Sequence, residues 1–309
     1  MRSRIIYKLY GAFIDNNLSA VTLKIVEVTI MRHFVLNLKD EFTGLHAEQN
    51  PTLTCYLSDN SSEIEIDRRK PAVLVCPGGG YSMCSEREAE PIALDYLPHG
   101  FQTFILRYSV APVGYPQQLL EASAAIALIR RNAKEWSVNP DAITVIGFSA
   151  GGHLAASVGT LWQEPFIGEQ LGLKKVENKP NALILGYPVI TSDLEFTHGG
   201  SIANLMAGRT DPALREKLSL EKAVGPQTPP TFLWHTADDN CVPVENSLLF
   251  AKSLSKYEIP YELHIFPHGV HGLANCNYTT AAPGADYLRN PQCETWVQLS
   301  INWLKNLFT

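Results

Sequence analysis

AITVIGFSAGGHLAASVGT, residues 142–160, decides how this sequence folds. Its first seven residues, AITVIGF (142–148), form a short apolar run with the character of a strand buried on both faces. The small residues of AGGHLAASVGT (150–160) predict a helix that follows directly. Gly147-Phe148-Ser149-Ala150-Gly151 at the junction matches G-x-S-x-G. The pattern is short, and its context makes it specific. A strand that turns sharply into a helix forces Ser149 into a strained backbone conformation and projects its hydroxyl away from the sheet. The flanking glycines let neighbouring backbone come close. The N-terminus of the helix points toward any negative charge that develops there. Outside this context the same residues would be a tight turn with an unreactive serine.

Working outward, strand and helix signals alternate along the chain, which predicts βαβ units and a largely parallel sheet. FVLNL (34–38) and TLTCYL (52–57) read as an antiparallel start, and the polar stretch 59–70 as a connection. AVLVC (72–76) is a second buried strand, ending at Pro77-Gly78-Gly79-Gly80. A helix is expected over 86–97, a strand over 101–109 and a long helix over 116–136. Asn139-Pro140-Asp141 reads as a turn. Strands follow at 182–189, 231–236 and 261–267, with a helix over 244–257 and an irregular stretch through 190–225. In the last helix, 294–308, Trp296, Leu299, Trp303, Leu304, Leu307 and Phe308 mark one face.

A serine hydroxyl is a weak nucleophile and needs a general base. After an elbow of this kind the orienting acid and the base follow in the order Ser, Asp/Glu, His, each at a strand end. The loop after 231–236 holds Asp238 and Asp239, and the loop after 261–267 holds His268 and His271. Only one residue of each pair can serve. Asp239 is favoured because Asp239 to Pro243 reads D-x-x-V-P, a turn into the next helix, which leaves Asp238 as a turn or capping carboxylate. His271 is favoured because it lies farther from the strand end and can swing over Ser149. His268 then stabilises the loop, and His264 and His153 are read as packed or surface side chains. Stabilising a developing alkoxide takes two or more backbone N–H donors. Ala150 supplies one, and the glycine run 78–80 at a buried strand's end suits the other. That run is no phosphate loop, since no Lys-Ser/Thr follows. Met83 breaks the dinucleotide pattern G-x-G-x-x-G.

Composition narrows the field further. With 45% hydrophobic residues the chain is ordinary globular material rather than disordered. A net charge of −6 argues against a nucleic-acid partner. The chain lacks the roughly 18–20 consecutive apolar residues of a membrane span, so a soluble protein without a membrane partner is expected. The six cysteines form no CxxC pair or metal-ligand spacing. They read as reduced thiols, with no metal and no cofactor expected. Residues 1–30 carry no convincing export signal. They are read as an N-terminal extension, with 21–30 as a possible strand and the functional chain starting near Met31. Residues 31–309 are then a single domain.

PGGGY (77–81), REAEP (87–91), RYSVAP (107–112), NPDAITVIGFSAGGHLAA (139–156), HTADDNCVPVENS (235–247) and FPHGVHGLA (266–274) together resemble α/β-hydrolase esterases. The groups concerned are the hormone-sensitive-lipase and dienelactone-hydrolase-like ones, and the likeness is strongest to acetylxylan esterase-like carbohydrate esterases. It covers roughly residues 35–309. It implies a mostly parallel sheet with helices on both faces and a short cap. It implies Ser149 as nucleophile, His271 as base and Asp239 as orienting acid, with Gly79, Gly80 and Ala150 as the oxyanion region. The implied reaction is hydrolysis of short acyl esters, of small molecules or of xylo-oligosaccharides; the lack of an export signal and the reduced thiols, rather than the resemblance, point to the cytoplasm. PGGGY in place of HGGG, and the absence of a hydrophobic insertion, argue against long-chain lipids. Two other readings compete. A prolyl-oligopeptidase-like peptidase usually carries a large propeller, for which these residues leave no room. A non-catalytic binding protein of the same fold normally lacks one of the three site residues, and all three are present here.

Overall fold

Alternate residues of the central strands enter two different cores, which is why those strands read as unbroken apolar runs. In the computed structural model, which describes residues 31–46 and 48–308, Ala72, Leu74 and Cys76 belong to one buried cluster and Val73 and Val75 to the other. Ile143 and Val145 likewise face one way, and Ile146 and Phe148 the other. A strand covered on both faces has no polar side to expose.

The strands are β1 Arg32–Asn37, β2 Thr52–Leu57, β3 Lys70–Cys76, β4 Gln102–Arg107, β5 Val138–Phe148, β6 Ala182–Gly186, β7 Thr231–Thr236 and β8 Tyr261–Phe266. They form one eight-stranded sheet in the order β1-β2-β4-β3-β5-β6-β7-β8. β2 runs antiparallel to β1 and β4, and every pairing from β4 to β8 is parallel. The helices are α1 Leu38–Glu41, α2 Glu90–Tyr96, α3 Gln117–Arg131, α4 Ser149–Leu161, α5 Pro165–Leu171, α6 Gly199–Met206, α7 Pro212–Lys217, α8 Glu245–Lys256 and α9 Pro291–Phe308. α3, α4, α6 and α8 pack into one core, and α2 and α9 into the other. Trp296 of α9 stacks on Trp234 of β7, with ring centroids 5.2 Å apart, and both are fully buried.

Several boundaries differ from the sequence reading for local reasons. The long helix stops at Arg131, and Val138 already pairs with Lys70, so β5 begins before the expected turn. That turn survives inside the strand: Asn139 Oδ1 accepts the Asp141 N–H, and the register with β3 shifts there. The stretch 190–225 holds two short helices. His198 caps α6 by accepting the Ser201 N–H, and Asp211 caps α7 by accepting that of Ala213. α6 opens on Gly199-Gly200, which hides its apolar period. On α9 the buried face runs through Cys293, Trp296, Ser300, Ile301 and Leu304, while Leu299, Trp303, Leu307 and Phe308 are its half-buried flanks. The readings of residues 1–30 as an extension and of 21–30 as a strand lie outside the described residues.

The junction of β5 with α4 is the tightest point of this architecture. A Cβ on Gly151 would stand 2.1 Å from the Cys76 carbonyl oxygen and 2.3 Å from that of Pro77. The first turn of α4 therefore lies directly against the end of β3. Replacing Gly151 with Ala should destabilise the fold by about 3 kcal/mol, because the obstacle is backbone and cannot rotate away. Gly168→Ala, in α5, is the control: its nearest new contact would be 3.9 Å away, so it should be neutral or stabilising by up to about 1 kcal/mol. Chemical denaturation of both variants measures the contrast, and equal midpoints would refute it.

Candidate active site

Ser149 sits at the β5–α4 junction with φ of 53°, the left-handed region where a residue with a side chain is strained. The structure brings it together with His271 and Asp239. His271 Nε2 lies 2.8 Å from Ser149 Oγ, and His271 Nδ1 lies 2.7 Å from Asp239 Oδ2. A carboxylate can only accept, so Nδ1 carries the proton it donates to Asp239. Nε2 is left to accept the Ser149 hydroxyl. The chain of atoms runs from a buried carboxylate through a half-buried imidazole to a hydroxyl, the geometry that lets an imidazole take up and return a proton.

Asp239 is held by the turn that follows β7. Its Oδ1 accepts the N–H groups of Cys241 and Val242 at 2.9 and 3.0 Å. His235 Nε2 stands 3.4 Å from Oδ2, and its N–H also reaches the Val242 carbonyl. Burial pushes the Asp239 carboxyl pKa up. Hydrogen bonds from His235 and His271, with the backbone N–H of Val242, more than reverse this and hold it well below the usual carboxylate range.

The neighbouring pair has its own partnership. His268 Nδ1 lies 3.0 Å from Asp238 Oδ2, and Asp238 Oδ1 accepts the Gly269 N–H at 2.7 Å. Both side chains are largely exposed, at 84% and 51%. They brace the loop from outside, and only Asp239 and His271 reach Ser149. His264 pairs with Glu262 along β8. His153 is fully buried, accepting the Tyr81 hydroxyl at Nδ1 and donating from Nε2 to the Leu218 carbonyl.

The turn after β3 runs beside Ser149. Gly79, Gly80 and Tyr81 have φ of 123°, 65° and 58°, so three successive residues occupy the region that favours glycine. The Gly79 carbonyl accepts from Ser82 and Met83, and the Gly80 carbonyl from Asn204 of α6. Among the described residues the N–H groups of Gly79, Gly80 and Ala150 donate to no acceptor, whereas that of Gly78 donates to Glu88. A Cβ on Gly78 would meet Ser149 Cβ at 2.9 Å, so this turn lies beside the serine, and backbone donors left unengaged there are of the kind that suits an oxyanion.

Sequence reasoning passed over Glu88, Tyr187 and His235, all buried at this site. His235 stands four residues before Asp239, a spacing visible in HTADD. Glu88 and Tyr187 meet across 99 residues, and no local pattern announces such a contact. His198 at the start of α6 is a further neighbour: burial lowers its pKa, the His271 charge lowers it further, and Asp239 opposes them.

Comparison with known proteins is consistent with this geometry. Residues 61–254 match the BD-FAE family. The chain belongs to that family. It is 36% identical over 245 residues to endo-1,4-beta-xylanase B of Butyrivibrio fibrisolvens, an alignment covering 77% of this chain and 37% of the xylanase. It is 31% identical over 252 residues to an acetylxylan esterase of Xylanibacter ruminicola, covering 78% of this chain and 46% of that protein. The chain thus spans less than half the length of these two curated relatives. Among solved structures, MGS-M1, an α/β hydrolase from a Medee basin deep-sea metagenome library, superimposes with a TM-score of 0.72. It shares 35% identity, covering 91% of this chain and 99% of the other. The BD-FAE chain described here has the same α/β-hydrolase fold: a mostly parallel sheet with helices on both faces.

The buried His153 makes the fold sensitive to acid. Burial pushes its pKa down to about 4, which the hydrogen bond to Leu218 only partly opposes. The unfolded imidazole takes up a proton near pH 6.5, and the folded one does so only near pH 4. Stability from this group is complete above pH 6.5 and is lost as pH falls toward 4, by about 3 kcal/mol. Urea denaturation of wild type and His153→Gln at pH 7, 5.5 and 4.5 should show the wild type losing more stability on acidification. Parallel losses would refute the linkage.

Proposed function

We propose that this chain is a serine carboxylesterase that removes short acyl groups, acetyl above all, from small-molecule or oligosaccharide esters such as those of xylo-oligosaccharides. The observation that carries the proposal is the unbroken Ser149–His271–Asp239 chain, with contacts of 2.8 and 2.7 Å, beside three unengaged backbone donors. His271 removes the Ser149 proton as the hydroxyl attacks the ester carbonyl. Asp239, itself held ionised by its hydrogen bonds, keeps the imidazole in its tautomer and stabilises the cation that forms. The developing oxyanion rests on the N–H groups of Gly79, Gly80 and Ala150. The alcohol leaves with the proton from His271, and water releases the acyl group by the same steps in reverse order.

The acetyl and xylan preference is supported by the acetylxylan esterase among the relatives. The short helices α6 and α7 support a compact acyl site, and α6 brings Asn204 to the Gly80 carbonyl. All six cysteines carry free thiols. This suits a reducing compartment and supports the cytoplasmic location expected from the sequence.

A panel of aryl acetate, butyrate and octanoate beside acetylated xylo-oligosaccharides tests the reading. Acetate should be preferred and octanoate poorly used. Ser149→Ala and His271→Ala should each lower kcat by about 10⁵–10⁶, and Asp239→Asn by about 10⁴. His268→Ala and Asp238→Asn should stay within about tenfold of wild type, since they touch only the outside of the loop. Absence of ester hydrolysis by the wild type, or full activity in Ser149→Ala, would overturn the proposal in favour of a peptidase or a binding protein.

A further inference from the structure

Arg87-Glu88, at the head of the REAEP segment, has no part in the proton chain, yet it touches three of the loops that build the site. Glu88 is only 4% exposed. Its Oε2 accepts the Gly78 N–H at 2.8 Å, and its Oε1 accepts the Tyr187 hydroxyl at 2.7 Å. A Cβ on Gly78 would stand 2.6 Å from Glu88 Oε2 and 2.9 Å from Ser149 Cβ. A single glycine therefore separates this carboxylate from the elbow. Tyr187 follows β6 with φ of 34°. Its hydroxyl oxygen accepts the Ala274 N–H at 2.9 Å, and its ring stands edge-on to His271 with centroids 5.0 Å apart. Arg87 grips the same histidine loop from another side, donating to the carbonyls of Gly272 and Thr280 at 2.5 and 2.7 Å.

A buried carboxylate is an expensive way to join two donors. A neutral amide would satisfy either donor alone, so the negative charge itself calls for a physical role. It lies within electrostatic reach of His271, the group that becomes a cation during acyl transfer. Burial pushes the Glu88 carboxyl pKa up, and the Tyr187 hydroxyl, the His271 charge and the Gly78 N–H pull it only part of the way back.

We propose that Glu88 is a positioning residue of the esterase site, with Tyr187 as its relay to the histidine loop. It sets the glycine turn against Ser149 and places a second carboxylate beside the imidazolium. The inference rests on the esterase reading above. The charged and titratable groups facing His271 are Asp239 from the turn after β7, His198 at the head of α6, Tyr187 after β6 and Glu88 before α2. The guanidinium of Arg87 lies behind Gly272, His235 acts through Asp239, and Asp238 and His268 pair on the outside of the loop. Glu88 is faced by Arg87, Tyr187, His271 and, more weakly, buried Tyr108.

The test is the pH profile of aryl acetate hydrolysis by wild type, Glu88→Gln, Glu88→Asp and Tyr187→Phe. Glu88→Gln removes a negative charge beside the imidazolium. The acid limb of kcat/KM should therefore move to lower pH by about one unit. Its kcat should fall about 10–100-fold while KM changes little. Glu88→Asp keeps the charge but is too short to hold both donors, so kcat should fall with the acid limb unmoved. Tyr187→Phe should lower kcat about tenfold, also without moving the limb, because it cuts the relay and leaves the charge. A purely structural role would lower thermal stability and leave the acid limb in place in all three. A folded Glu88→Gln with an unmoved limb overturns the inference. If that variant does not fold, wild-type kcat in Tyr187→Phe overturns it. Ser149→Ala is assayed alongside. Loss of Ser149 dependence sinks the esterase reading and this inference with it, whereas Ser149-dependent turnover with unchanged Glu88 and Tyr187 variants sinks this inference alone.

Discussion

The close approach of the first turn of α4 to the end of β3 is the constraint on which the upper edge of the sheet depends. With Gly151 pressed against the Cys76 and Pro77 carbonyls, the chain leaving β5 has no room for a gradual turn. Ser149 is pushed into its left-handed conformation at the top of the sheet. The same contact brings the glycine turn after β3 alongside, so the hydroxyl and the unengaged N–H groups arrive together. Parallel strands make this possible. Their ends open on one edge, and the loops after β3, β5, β6, β7 and β8 converge there without any strand reversing direction.

Those loops are anchored in the apolar cores through Val242, Leu273 and Ala274, and polar contacts fix their detail. Asp239 is tied by two N–H groups of its own turn and by His235. The outer Asp238–His268 pair fastens the histidine loop one residue away. His153, neutral and buried, holds Tyr81 at the end of the glycine turn. Where the partners are buried, as at Asp239, His235 and His153, losing such a hydrogen bond leaves a buried polar group unpaired. The site is therefore more sharply ordered than loops of this length would be alone.

Much of this was legible in the residues. The strands 52–57 and 231–236 are legible to the residue, because each is a short run rich in β-branched and aromatic residues bounded by polar or turn residues. The elbow was legible because strand, serine and small-residue helix are consecutive. Asp239 and His271 were legible only as preferences over Asp238 and His268, since adjacent residues share every local signal. Their separation needed the three-dimensional path of two loops. The helices inside 190–225 were hidden by Gly199-Gly200 and by their shortness. α1 and α5, at 4 and 7 residues, are too short to show a helical period. Glu88 and Tyr187 were beyond reach, because a polar contact between distant segments leaves no periodicity behind.

The long reach of Arg87 bears on when the site comes into being. Its contacts to Gly272 and Thr280 span 185 and 193 residues. On a growing chain, β3, β5 and the elbow can pair and pack while the histidine loop is still unmade. Ser149 is then an ordinary hydroxyl on a strained turn, lacking both its imidazole and the Arg87 and Tyr187 contacts that hold the loop carrying it. Only when the residues beyond β8 dock does the hydroxyl gain a partner that can take its proton. Assembly order thus leaves the Ser149–His271 contact until the fold around it is nearly closed.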